Sequence, residues 1–145
     1  KVAFRASAYV NDFYNFGRRH ISRDWSFTLD TTLRPQDRWR IESRLRHSRT
    51  FDPNNTLEDR IWLGSLRTYY LFSPDTYLSL FAQGRSDHTP LGTQETFLIS
   101  SVFGWEFTRG SRLFVAINDS RDDGSGTFHL NNQTLILKLV RSIDL

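Results

Sequence analysis

Apolar and polar residues alternate with a period of two along most of this chain, and this pattern constrains its fold more than any other feature. The pattern predicts eight strands of mostly 9 to 13 residues: Val2–Val10, Asp24–Leu33, Arg38–Ser48, Arg60–Phe72, Thr76–Arg85, Thr96–Thr108, Ser111–Ser120 and Gln133–Leu145. Strands in globular sheets usually have about 5–6 residues, whereas a tilted strand needs about 9–11 to cross a bilayer. No helical period persists, so we expect an all-β fold.

The connections between these strands alternate in length. Short turns follow the second, fourth and sixth strands, and polar loops of roughly ten residues, at 11–23, 49–59, 86–95 and 121–132, follow the others. In an antiparallel meander this alternation puts all long loops at one end, as in outer-membrane barrels. The sequence therefore predicts one domain, residues 1–145, folded as an up-and-down transmembrane β-barrel of eight strands or as part of a larger barrel.

Aromatic residues on the more apolar face of each strand lie close to the predicted strand ends. Bilayer interfaces select such rings, and two aromatic belts around an aliphatic band are typical of membrane barrels. The residues expected at the two interfaces are Trp25, Trp39, Trp62, Trp105, Tyr70, Phe72 and Phe107.

The average composition resembles that of a soluble domain, because only 38% of the residues are hydrophobic and the mean hydropathy is −0.50. Its longest charge-free apolar run, Thr96–Trp105, is too short for a transmembrane helix. A membrane barrel is compatible with these averages, since its lumen-facing half is polar. A soluble, lipocalin-like ligand-binding barrel with the apolar face inside is the alternative, although the chain lacks a Gly-x-Trp near its first strand.

Charged residues occupy the opposite face of the predicted strands. This predicted lumen holds seven basic residues and three acidic ones, an excess of four positive charges: Arg5, Arg40, Arg44, Arg46, Arg67, Arg85 and Lys138 against Asp30, Glu42 and Glu106. Such a ladder fits an ion-pair network that fixes strand register, or an anion-attracting constriction. We expect an outer-membrane pore or transport component with a basic lumen. The alternative is a non-catalytic outer-membrane anchor or interaction module that binds a partner through the long loops.

The remaining motifs indicate contacts rather than catalysis. The chain has no Cys and no catalytic or nucleotide-binding signature, so we expect no enzyme, no cofactor and no metal. Its Arg residues are scattered rather than gathered into a stripe, which argues against nucleic acid. The predicted partners are outer-membrane lipid, lipopolysaccharide and another protein chain that completes or plugs the barrel. The expected loop contacts are Arg18, Arg19, Asp122 and Asp123.

The second half of the chain, Leu71 to Leu145, resembles a known family. The segments that carry the resemblance are FSPDTYLSLFAQ from Phe72, GWEFTRGSRLFVAIN from Gly104 and NQTLILKL from Asn132. They are similar to the C-terminal membrane barrel of large Gram-negative outer-membrane proteins that carry a carbohydrate-binding-like module at the N-terminus. The sequence contains no such module, and it ends in Leu145, where outer-membrane barrels usually end in Phe. The family's barrels exceed eight strands, so the resemblance leaves open the last part of a larger barrel, a small independent barrel, or a partner completing another chain's sheet.

Overall fold

The structure, a computed structural model, describes residues 1–123 and 129–141 as one antiparallel sheet of eight strands in sequence order. The strands are β1 (Val2–Asn15), β2 (His20–Gln36), β3 (Trp39–Phe51), β4 (Leu57–Ser73), β5 (Thr76–Thr89), β6 (Gly92–Thr108), β7 (Ser111–Asp122) and β8 (His129–Val140). The prediction of an all-β fold with eight up-and-down antiparallel strands is confirmed. The sheet is open, with β1 and β8 as its two edges. Nowhere in the described ranges is there a helix long and apolar enough to cross a membrane.

Most strands are longer than the alternation predicts, and this corrects the predicted long loops. Residues 11–15 and 20–23 are paired strand, so that only residues 16–19 connect β1 to β2. The β5–β6 ladder likewise continues to the pair Thr89 and Gly92, leaving a two-residue turn at 90–91. Alternation fails to mark these extensions because polar residues occupy both of their faces. At the other end of the chain, β8 ends at Val140, and Ile143 and Leu145 lie outside the described residues.

The register gives the sheet one apolar and one polar face. Residues that pair across neighbouring strands point to the same side, so Leu29, Leu45, Gly64, Gly84 and Phe97 form one continuous row. This side, the apolar face, also carries all four Trp residues. The rows between them form the polar face, where Asp30 pairs with Arg44 and Glu42 pairs with Arg67.

No hydrophobic side chain is buried anywhere in the described part of the chain. Apart from Gly104, the buried residues there are polar: Ser22, Ser26, His47, Ser48, Glu58 and Ser111. The apolar face is instead open, as Phe4 at 79% exposure and Leu137 at 71% illustrate on the two edge strands. A sheet with a continuous uncovered apolar face requires an apolar surrounding or partner to shield it from water.

One glycine is required by close packing on the polar face. Gly104 of β6 pairs with Tyr77 of β5, and the Tyr77 ring lies across the space that a side chain at 104 would fill. A Cβ atom there would lie 2.4 Å from Tyr77 Cε1. The ring also contacts Tyr69 of β4 with 5.1 Å between ring centroids. Gly104 thus lets an aromatic pair lie flat along the sheet.

We predict that Gly104→Ala lowers the free energy of unfolding by about 1–3 kcal/mol, because the new methyl group displaces the Tyr77 ring. Gly64→Ala is the matched control, since a Cβ at position 64 meets no atom within 4 Å. The measurement is urea unfolding of protein refolded in detergent. Equal stability of the two variants would contradict the packing argument.

Candidate functional site

The polar face carries an open trough of about 640 Å³ that extends over β1 to β5. Charged side chains from four neighbouring strands line it: Arg5 from β1, Asp30 from β2, Glu42 and Arg44 from β3, and Arg67 from β4. They meet here because the register places them in adjacent rows of one face. The trough thus brings together five of the residues predicted to face a lumen, and two more, Arg40 and Arg46, flank them on β3.

Both carboxylates of the trough are already engaged. Arg44 Nε donates a hydrogen bond of 2.6 Å to Asp30 Oδ1, which joins β3 to β2. Arg40 donates to Glu42 on the same strand. The Arg44–Asp30 pair joins two strands and agrees with the interpretation of an ion-pair network that fixes register, whereas the Arg40–Glu42 pair lies within one strand. Asp30 also lies opposite Arg5 and attracts it.

Three Arg residues on this face have no ion-pair partner within the described ranges. Arg46 donates a hydrogen bond of 2.9 Å to the hydroxyl of Tyr9, and Arg67 lies with its Cζ 5.2 Å from the centroid of the Phe81 ring. Arg5 makes no ion pair. Guanidinium groups held by a hydroxyl and an aromatic ring keep their full positive charge, so this part of the trough attracts anions.

The other predicted lumen residues lie outside the trough and are partly neutralised. Arg85 pairs with Asp87 at 2.8 Å, and Glu106 pairs with Arg112 at 2.7 Å. Lys138 lies on β8, opposite Phe114. Sequence reasoning missed Asp87 and Arg112 as members of these pairs. The spacing of Arg85 and Asp87, two residues apart in an alternating strand, was the available signal.

The predicted excess of four positive charges on the polar face is wrong for the face as a whole. Four further acidic residues lie on this face near the hairpins opposite the short turns: Asp59, Asp87 and Asp122 come from the strand extensions, and Asp24 begins a predicted strand. Arg112 adds one basic residue. Positive charge is therefore concentrated in the middle of the face, and acidic residues lie towards the hairpin end.

The apolar face shows the complementary arrangement. On β4, no charged residue occurs on this face between Trp62 and Phe72, and on β2 none occurs between Trp25 and Leu33. Charged pairs follow directly beyond the band, such as Arg23 with Asp12 at 2.8 Å. We call this zone the apolar band; on β7 the corresponding rows hold the pair Asp119 and Arg121, opposite Ile99 and Phe97.

The predicted interface aromatics all lie on the apolar face, in two groups. Trp39, Tyr70 and Phe72 form one contacting series near the short turns, with ring centroids 6.4 and 5.0 Å apart, and Trp105 contacts Phe107 at 5.6 Å. Trp25 and Trp62 mark the other side of the band. They lie inside β2 and β4 rather than at strand ends, because those strands begin at His20 and Leu57.

A buried carboxylate joins the first hairpin to β4. Glu58 accepts hydrogen bonds of 2.8 Å from Ser22 Oγ and 2.8 Å from His20 Nε2, and it pairs with Arg18 at 3.0 Å. Burial works to raise the pKa of Glu58, but the hydrogen bonds from Ser22, Arg18 and His20 hold it below its ordinary value. Arg18 also pairs with Asp59 at 2.9 Å. This predicted loop contact therefore serves the protein's own packing.

The other predicted loop residues are placed less distinctively. Arg19 adopts a left-handed backbone conformation in the first turn, Asp122 ends β7, and Asp123 follows it with its backbone N–H bound to the Glu95 carbonyl. In the described ranges no three His, Cys, Asp or Glu side chains converge as a metal site would require. His20, His47 and His88 lie on different strands, and the side chain of His129 lies outside what the structure describes.

Comparison with known proteins found no matching family model, no similar curated protein and no similar solved structure.

We predict that Glu58→Gln lowers the free energy of unfolding by about 1–3 kcal/mol at pH 7, because Arg18 and His20 lose the carboxylate they contact. A carboxylate whose folded pKa is lowered stabilises the protein above its unfolded value, about 4.3, and loses that effect as pH falls through the folded pKa. The stability gap between wild type and variant should therefore close below about pH 4. Urea midpoints between pH 3 and 7 measure it, with Asp37→Asn, in a short turn, as control. A gap that stays constant across this range would contradict the assignment.

Proposed function

We propose that this sheet is the wall of a β-barrel in the bacterial outer membrane and that the barrel acts as a pore or transport component for anionic solutes. The observation that carries the proposal is the opposition of the two faces. The apolar band lies behind the trough, in and beside which Arg5, Arg46 and Arg67 make no direct ion pair within the described residues. In a soluble ligand-binding barrel the apolar residues would instead line the cavity.

The height of the apolar band fits a bilayer. Trp62 and Phe72 are ten residues apart on β4, which corresponds to about 33 Å along a strand at ~3.3 Å per residue. A strand tilt of about 40° projects this length to about 25 Å, the usual height of the apolar zone of outer-membrane barrels. Aromatic rings at both borders agree with the same placement.

The open edges supply a further argument about the complete barrel. Inside a bilayer the unpaired N–H and C=O groups of β1 and β8 would have no water to bind, so each edge requires a strand partner. Closure of β1 on β8 gives a barrel of eight strands. Pairing of each edge with additional strands gives a wider barrel, and the unneutralised trough favours this form because a wider lumen admits water to its charges.

Engineered disulfides distinguish the two forms, and the chain contains no Cys to interfere. We predict that Ala6→Cys, combined in turn with Leu135→Cys and Leu137→Cys, does not form a disulfide after mild oxidation of the inserted protein, because β1 and β8 pair with other strands. The control is Ser43→Cys with Leu66→Cys, a directly paired position that should cross-link. Efficient cross-linking of either edge pair would show that the barrel closes with eight strands.

The pore itself is tested by planar-bilayer recordings. We expect ion conductance with a preference for chloride over potassium, and we expect the combined change Arg5→Gln, Arg46→Gln and Arg67→Gln to reduce that preference at least about twofold, since it removes the trough's unpaired cations. Arg109→Gln, which removes one charge from a short turn, should leave it nearly unchanged.

Insertion is checked separately by comparing unheated and boiled samples on a gel after refolding in detergent. A protein that shows the mobility shift but no conductance would contradict the pore and leave the barrel wall as an anchor or interaction module. A protein that stays soluble without detergent and shows no shift would contradict the membrane assignment itself.

A further inference from the structure

Two Arg residues face each other on the apolar face, immediately beyond the band. Arg49 of β3 pairs directly with Arg60 of β4, so their side chains project side by side. Like charges in directly opposed positions destabilise a sheet unless an anion lies between them. Neither residue has an ion-pair partner within residues 1–123 and 129–141, where Asp12 pairs with Arg23 and Glu95 accepts a hydrogen bond from Ser86.

Arg49 is held in place by a stacked pair of rings. Its Nε donates a hydrogen bond of 2.9 Å to His47 Nε2, which leaves the two terminal amino groups of the guanidinium free to donate. His47 is buried, approaches the Ile61 carbonyl oxygen with Nδ1 at 3.3 Å, and stacks on Trp62 at 3.9 Å. His47 therefore accepts with Nε2 and donates with Nδ1. The rings orient Arg49 outward at the border of the band.

The surroundings of this Arg pair are those of a lipid headgroup site. Trp25 lies beside Arg49 in the same row, and His88 lies beside Arg60. Towards the short turns, a notch of about 300 Å³ opens between Trp62 and Phe97, with Glu95 and Arg85 also in its lining. It exists because Gly64 and Gly84, which pair with each other, present no side chain there. Two cations thus lie at the border of the apolar band, and the notch lies next to them inside the band.

We propose that Arg49 and Arg60 bind the phosphate group of a membrane lipid, whose acyl chain descends past Trp62 into the notch above Gly64 and Gly84. Charge complementarity selects the phosphate, and the rings of Trp62 and Phe97 above the bare glycine floor accept the hydrocarbon. The inference rests on the proposed insertion in the outer membrane, but it concerns the outward face of the barrel and is independent of conduction through the lumen.

The test uses the full chain refolded in octyl glucoside, a detergent without charge or phosphate, with the gel mobility shift confirming insertion for every variant. Binding of dioleoyl phosphatidic acid is titrated by native mass spectrometry, with dioleoyl phosphatidylcholine and inorganic phosphate as the other ligands. The variants are Arg49→Gln with Arg60→Gln, which removes the cations, and Gly64→Val, which fills the notch. Arg19→Gln removes a charge from the turn at the same end and serves as control.

We expect phosphatidic acid to bind at least about tenfold more tightly than phosphatidylcholine, with the double Arg variant losing this preference. Gly64→Val should weaken phosphatidic acid binding several-fold without changing the response to inorganic phosphate, and Arg19→Gln should bind as wild type does. Equal losses in Arg19→Gln and the double variant would overturn the proposal in favour of general charge attraction. Displacement of the lipid by millimolar inorganic phosphate would overturn it in favour of a free-phosphate site. If neither the wild-type chain nor any variant shows the mobility shift, membrane insertion itself is refuted.

Discussion

The exposed apolar face is the constraint on which the rest of this structure depends. A single sheet has only two sides, and here neither side packs against another layer, so no hydrophobic core forms within the described residues. Backbone pairing between neighbouring strands holds the sheet together, while burial of its apolar side is left to the surroundings. The positions of the Trp residues, the charged pairs beyond them and the basic trough behind them are all consistent with a lipid surrounding.

The distribution of charged residues on the polar face has the same cause, the division of the sheet into an apolar side and a polar side. Charges cannot be placed on the lipid side without cost, so they gather on the other side, where the pairs Arg44–Asp30 and Glu106–Arg112 connect adjacent strands. Each such contact fixes the register, because a shift by one residue would move every charge to the apolar face. In the proposed pore, the Arg residues without a direct ion pair are the ones that would set its preference for anions.

The alternation of residue types was sufficient to predict eight strands, their order and the side on which each Trp and each lumen residue lies. It was insufficient for strand ends, because the extensions at residues 11–15 and 20–23 carry polar and apolar residues on both sides and so show no period of two. The alternation also could not predict which partners Glu58 has, since its contacts depend on how the first hairpin packs against β4. Closure of the edges depends on contacts between strands distant in sequence, which a local pattern does not encode.

The length of β2 beyond Trp25 has a mechanical consequence. Five residues separate Trp25 from His20, where the strand begins, so the first hairpin projects about 17 Å past the aromatic ring along the strand axis at ~3.3 Å per residue. The ion pair between Arg18 and Glu58 and the hydrogen bond from Ser22 to Glu58 connect this projection to β4. They restrain its motion relative to an isolated two-stranded ribbon. In the proposed outer-membrane placement, this turn would lie beyond the headgroups, and a molecule approaching the membrane from that side would contact it first.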